Sequence, residues 1–164
     1  MRRIFDDCRP AVMQLAATYR FAAPVSEVWG LLMDSSAIAA CLPGCRELRP
    51  LGDDRYQADL TIGVPAVSGS FAVTIALLDK VPPHSYRLSV EATGKPGFAS
   101  GSAAIVLSPV EGGTVVTVTA AAEVGGLIAR VGQRLLEGVA RMSMDRFYGC
   151  LAKRVGGDGI LASA

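Results

Sequence analysis

The sequence carries no surplus of charge: 16 Lys and Arg stand against 15 Asp and Glu, a formal net charge of +1. No cluster of basic residues is interleaved with aromatics either, so the electrostatic footprint of a nucleic-acid-binding protein is missing. No apolar run approaches the roughly 18 residues of a membrane-spanning helix. The opening MRRIFDDCRP places two arginines ahead of no apolar core, so no secretory signal is read there and the cytoplasm is the expected compartment. There is a single histidine, His84, after Pro82-Pro83 in a predicted turn, and neither a nucleophile elbow nor a convergent Ser/His/Asp set can be assembled. Four cysteines without a secretory signal read as reduced thiols rather than a disulfide framework.

What is present is apolar. Residues of that kind make up 51% of the 164, against 19% charged, which suits one folded domain with a sizeable core. Residues 1–10 lack periodicity and read as a loose leader, residues 11–155 as the domain, and residues 156–164 as a flexible tail. Met13, Leu15, Ala17, Tyr19 and Phe21 alternate with polar or small neighbours, a strand with one buried face. Pro24 then stops the strand and opens a helix through Val25, Val28, Trp29, Leu31 and Leu32. A second short helix follows around Ser35 to Ala40, capped by Asp34 or Ser35 and ended by Pro43-Gly44.

From Arg46 to Val124 the chain alternates with period two between short, turn-rich connections, the signature of an antiparallel meander. Inward sets are Tyr56, Ala58, Leu60, Ile62 and Val64; Phe71, Val73, Ile75 and Leu77; Tyr86, Leu88, Val90 and Ala92; Ala103, Ile105 and Leu107; and Val116, Val118, Ala120 and Ala122. Gly125-Gly126 releases the chain into one long predicted helix reaching Arg154. At 100° per residue, Ile128, Val131, Leu135, Val139 and Met142 fall on its apolar stripe. Arg130, Arg134, Glu137, Arg141 and Asp145 fall on the far side, read as facing water. The expected fold is therefore α+β: a curved seven-stranded antiparallel sheet around a long C-terminal helix, with two short helices after the first strand. Small inward residues and the helix glycines Gly132, Gly138 and Gly149 predict a gap beneath the helix; closer packing is the alternative.

Chemistry-bearing residues are few. Asp59, Glu91 and Glu123 fall on the outward register, so no acid/base pair is expected inside, and no cofactor or metal site is read. Cys41 and Cys45, spaced C-x3-C, read as two small thiols flanking a tight turn, with a regulatory disulfide between them as the alternative. Arg146 falls on the apolar stripe. Either the helix projects past the sheet there and the side chain reaches solvent, or it meets an internal acid or a ligand head group.

Five motifs occur in order: FAAPVSEVWGLLMD, the Cys41-Leu42-Pro43-Gly44-Cys45 turn, Lys95-Pro96-Gly97-Phe98-Ala99-Ser100-Gly101-Ser102, Val124-Gly125-Gly126 and Asp145-Arg146-Phe147-Tyr148. Together, over roughly Met13 to Leu151, they resemble the carbon monoxide dehydrogenase G-subunit family, within the START and Bet v 1-like (SRPBCC) superfamily of helix-grip domains. The resemblance implies a hydrophobic cavity between sheet and helix, and association with molybdenum hydroxylases of the carbon monoxide dehydrogenase type. It also implies membrane recruitment, at the inner membrane face, or delivery of a quinone.

The registers and the implied fold together predict a pocket lined by Leu31, Ile38, Leu42, Phe71, Val73, Leu88, Val90, Phe98, Ile105, Val118, Leu127, Val131, Leu135 and Val139, with Pro96, Gly97, Gly125 and Gly126 at its mouth. The expected function is non-catalytic binding of an elongated hydrophobic molecule, a quinone or lipid. The alternatives are an adaptor that recruits or matures the hydroxylase, and a small cyclase or hydrolase.

Overall fold

Residues 11–63 and 68–155 are described in the computed structural model; the predicted leader, Val64 and the predicted tail lie outside them. The period-two segments form seven strands: β1 (Ala11–Phe21), β2 (Cys45–Gly52), β3 (Arg55–Ile62), β4 (Gly69–Val81), β5 (Ser85–Gly94), β6 (Gly97–Val110) and β7 (Gly113–Gly125). They make one antiparallel sheet in the order β1-β7-β6-β5-β4-β3-β2. The meander accounts for every neighbour except β1, which returns to pair with β7 from Ala11 opposite Val124 to Phe21 opposite Thr114.

Alternation decides the faces, because successive side chains of a strand point to opposite sides. Met13, Ala17, Tyr19 and Phe21 are buried while Val12, Gln14, Ala16 and Arg20 are exposed, and on β7 Val116, Val118 and Val124 are buried while Thr119, Ala121 and Glu123 are exposed. Between β1 and β2 run α1 (Val25–Leu32) and α2 (Ser35–Cys41). Pro24 occupies the N-cap position of α1, and the first turn carries Glu27, favourable at the positive end of the helix dipole. The buried Thr114 hydroxyl donates to Ala23 O at 2.7 Å, tying the approach to α1 onto β7. Asp34 caps α2, accepting from Ser36 N at 3.0 Å and Ser36 Oγ at 2.8 Å.

The single long helix expected from Gly125 is two elements. A short 3-10 helix covers Leu127–Val131, and α3 covers Gln133–Lys153. Gly132 separates them with φ 101° and ψ 148°, a conformation open to glycine and strained for other residues. The break resets the helical phase, so a stripe drawn from Ile128 to Met142 joins two unrelated frames. Within α3 the buried residues are Leu136, Tyr148, Leu151 and Ala152. Leu135 and Met142 lie on the opposite side and are exposed, together with Arg146. That placement resolves the position of Arg146: the stripe it shares with Leu135 and Met142 is the solvent side of the helix.

The cysteines also depart from expectation. Cys41, the last residue of α2, forms a disulfide with Cys150 of α3, their Cα atoms 5.4 Å apart, and Cys45 is a free thiol. The C-x3-C pair does not bond to itself, because Pro43-Gly44 turns Cys45 into β2 whereas Cys41 stays on the helix that packs against α3.

Candidate functional site

Two separate apolar clusters hold the molecule together. One gathers Tyr19, Phe21, Val28, Leu32, Ile105, Leu107, Val116, Tyr148 and Leu151, joining α1, α2 and the C-terminal half of α3 to the sheet. The other gathers Met13, Ala58, Phe71, Val73, Val124, Ile128 and Leu136 around the 3-10 helix and the start of α3. Ile75, Leu88, Val90 and Ala92 lie on the inner face of the middle strands β4 and β5, where a sheet covered by a helix is ordinarily driest. All four are only half-buried. The backbone of α3 comes closest to the edge strand β1 and to α2, so the helix sits to one side of the sheet.

That lateral position gives α3 a polar seam against β1. Tyr19, buried on β1, donates its phenol proton to Asp145 Oδ1 at 2.7 Å, and Arg141 Nη1 donates to Ala16 O at 3.2 Å. Burial first, then the hydrogen bond and charge of Asp145, push the Tyr19 phenol well above the ordinary tyrosine range. Arg141 and Asp145, expected to face water, are therefore half-buried contacts with the free edge of the sheet; Arg130 and Arg134 are exposed as expected.

Around this seam an aromatic group occupies one end of the inner face. The Tyr19 and Tyr148 rings stack at 4.6 Å, Phe147 meets Tyr148 edge-on at 5.0 Å, and Trp29 meets Tyr86 edge-on at 5.6 Å. The single Trp and three of the four Tyr of the chain are thus gathered at one end. Tyr19 and Tyr86 fall on inward strand registers legible in the sequence. Tyr148 does not, because its direction depends on the phase of α3.

The predicted lining residues divide. Phe71, Val73, Ile105 and Val118 are buried on the inner face, and Leu31, Ile38, Leu42, Leu88, Val90, Val131 and Val139 are half-buried. Three are elsewhere. Phe98 has the opposite parity from Ile105 on a strand paired without register shift to β7, so it stands on the outer face, 44% exposed. Leu127 is 64% exposed because the 3-10 helix turns Ile128 inward instead. Leu135 is 41% exposed for the reason of helical phase given above.

Pro96, Gly97, Gly125 and Gly126, expected at the mouth, lie close together. Ile128 N donates to Pro96 O at 2.8 Å, and a Cβ at Gly126 would stand 2.7 Å from Gly97 Cα. Gly126 has φ 83°, so glycine there serves both the turn and the close approach.

The strand acids and the histidine lie outside. Glu91 and Glu123 are exposed, Asp59 sits 3.5 Å from Arg49 on the outer face, and His84 is exposed. No group of three His, Cys, Asp or Glu among the described residues could hold a metal ion. An outer depression of about 1060 Å³ has a mixed lining, with Arg46, Glu47, Asp59 and Lys95 beside Leu60, Phe71 and Pro96. Two shallow grooves run along the solvent side of α3, one beside Val131, Arg134, Leu135 and Met142, the other beside Met142, Arg146, Gly149 and Cys150.

Residues 18–156 match the family of the carbon monoxide dehydrogenase G subunit (CoxG). The chain belongs to that family. Among solved structures, a conserved protein from Geobacillus kaustophilus is 38% identical to this CoxG-family chain, over 87% of it and 95% of that protein, with a TM-score of 0.84. Two more distant likenesses establish the helix-grip fold alone. Ara h 8.0201 is 12% identical over 88% of this chain and 98% of its own, TM-score 0.65. The Zhui aromatase/cyclase from Streptomyces sp. R1128 is 16% identical over 90% and 99%, TM-score 0.65. No curated protein matches the sequence.

Proposed function

We propose that this CoxG-family protein is a non-catalytic carrier that holds an elongated apolar molecule, a quinone or lipid, between α3 and the middle strands, and serves a molybdenum hydroxylase of the carbon monoxide dehydrogenase type. The observation that carries the reading is the half-burial of Ile75, Leu88, Val90 and Ala92 between two separate cores. A half-exposed apolar surface in the middle of a sheet is costly unless something apolar covers it. Removing about ten methylenes of a ligand from water is worth on the order of 8 kcal/mol gross, enough for useful affinity without a specific polar contact. The strand acids Asp59, Glu91 and Glu123 stand on the outward register, and the half-buried Asp145 is engaged by the Tyr19 phenol, which supports a binding role over acid/base chemistry. Membership of the CoxG family supports the link to the dehydrogenase.

Native mass spectrometry with lipid extraction, on protein from a quinone-containing host, followed by titration with menaquinone and ubiquinone analogues, tests the carrier reading. A retained apolar ligand and saturable binding are expected. Absence of any apolar ligand at saturating concentration overturns it.

A second reading, contact with an anionic lipid surface, is favoured by the solvent side of α3 and the preceding 3-10 helix. Leu127, Leu135 and Met142 are exposed there, with Arg130, Arg134 and Arg146 around them, and none of the three arginines has an acidic partner among the described residues. Apolar side chains flanked by cations suit an anionic interface. No helix among the described residues is long and apolar enough to cross a membrane. Flotation with phosphatidylglycerol vesicles should retain the wild type and lose a variant with Arg130, Arg134 and Arg146 changed to Glu. Equal flotation of both excludes this surface. If a hydroxylase is captured from a native extract even after Val131→Trp fills the inner face, an adaptor role independent of the ligand is favoured instead.

A further inference from the structure

We infer that the phenols of Tyr86 and Tyr148 form the polar end of this binding site, donating hydrogen bonds to a carbonyl or ether oxygen at one end of an apolar ligand. The inference rests on the carrier reading and adds the recognition of one end of the molecule.

Three tyrosines are buried in the first core cluster, and they differ in what their hydroxyls do. That of Tyr19 is occupied by Asp145. Those of Tyr86 and Tyr148 take part in no hydrogen bond among the described residues, although each residue is only 4% exposed. Among the described residues no side-chain nitrogen or oxygen is both sealed from solvent and unpartnered, so each of these two oxygens must border accessible space. A phenol bordering such a space has no fixed protein partner, and a ligand acceptor there takes the place of water.

Both rings stand at the end of the middle-strand surface. Tyr86 stands on the same face of β5 as Leu88 and Val90. Tyr148 lies one turn beyond Met144 on α3, and Leu88 and Met144 both pack half-buried against the cluster that contains the two tyrosines. The rings are fixed: Trp29 abuts Tyr86, and Tyr19 stacks on Tyr148. Fixed rings leave only the hydroxyl hydrogens free to turn toward an acceptor. Burial holds both phenols far above the ordinary tyrosine range, and the Tyr86 and Tyr19 phenols add to the effect at Tyr148. Both groups are therefore donors throughout the physiological range. The arrangement selects an amphipathic class of ligand: an apolar body along the middle strands, with an uncharged acceptor at the aromatic end.

The test uses two probes on the full chain: a decyl-substituted benzoquinone, which carries carbonyl acceptors, and 1,6-diphenylhexatriene, which has none. Tyr86→Phe and Tyr148→Phe remove only the hydroxyl oxygen. Each should weaken quinone binding about 3- to 10-fold, the loss of one ordinary hydrogen bond, and leave hexatriene binding unchanged. Difference infrared spectra should show a lowered quinone carbonyl stretch on the wild type that moves back in each variant. Unchanged quinone affinity in both variants, with wild-type binding of both probes intact, overturns the inference and leaves the carrier reading standing. A wild type that binds neither probe overturns both. If either variant fails to fold, an unshifted carbonyl stretch on the wild type alone is sufficient to reject the donors.

Discussion

The phenol of Tyr19 and the carboxylate of Asp145 meet at 2.7 Å and join the edge strand β1 to the middle of α3. Tyr19→Phe leaves a half-buried carboxylate without that donor and should cost about 1–2 kcal/mol. Urea denaturation of the variant beside Asp145→Asn and the double variant measures the coupling. Additive single effects would show that the pair contributes nothing.

Alkaline stability follows from the same residues. Tyr19, Tyr86 and Tyr148 all have phenols held above the ordinary value near 10 in the folded state. Above that pH the unfolded chain releases protons that the folded chain keeps, so stability is fully present below about pH 10 and falls as pH rises toward the folded values. Tyrosinate absorbance should show Tyr19, Tyr86 and Tyr148 ionising only with the unfolding transition. Early ionisation of three or four phenols without unfolding would contradict the burial.

The rotation of α3 can be tested with adjacent leucines. Leu136 is 5% exposed and Leu135 is 41% exposed. Leu136→Ala should cost about 2–4 kcal/mol, and Leu135→Ala at most about 0.5. Thermal or chemical unfolding that reverses this order would restore the phase expected from the uninterrupted stripe.

Two glycines should respond with opposite sign. A Cβ meets nothing within 4 Å at either Gly132 or Gly138, so backbone conformation decides. At Gly132, with φ 101°, alanine should destabilise by about 1–2 kcal/mol. At Gly138, inside α3, it should stabilise by about 0.5–1 kcal/mol. Equal shifts in unfolding midpoint would mean that the helix is not broken at Gly132.

The Cys41–Cys150 bond spans a sequence separation of 109, so its removal frees a long stretch of the denatured chain. Cys150→Ser should cost roughly 2–4 kcal/mol, whereas Cys45→Ser should leave the bond in place. Peptide mapping under non-reducing conditions identifies the linked pair, and a Cys41–Cys45 peptide would refute the connectivity.

Strand faces were legible residue by residue, because a period of two leaves one choice of face and the apolar set makes it. Met13 to Phe21 and Val116 to Val124 needed no partner to declare which side was dry. Even there one residue departs: the pocket expected from the registers and the implied fold includes Phe98, whose parity with Ile105 puts it on the outer face. The order of strands, two short helices and a long terminal helix, and with it the helix-grip fold and the family, followed from local pattern and motif.

Three things were decided only by tertiary structure. The first is which side of α3 is buried. Its two faces both carry apolar residues, Leu136 and Leu151 on one and Leu135 and Met142 on the other, so periodicity alone did not separate them once Gly132 broke the phase. The second is the choice of Cys150 over Cys45 as partner for Cys41, because a bond between distant residues depends on which elements pack together and not on spacing. The third is the aromatic end of the inner face: Trp29, Tyr86 and Tyr148 belong to α1, β5 and α3, and only folding shows that one tyrosine hydroxyl finds a carboxylate while two are left without partners among the described residues.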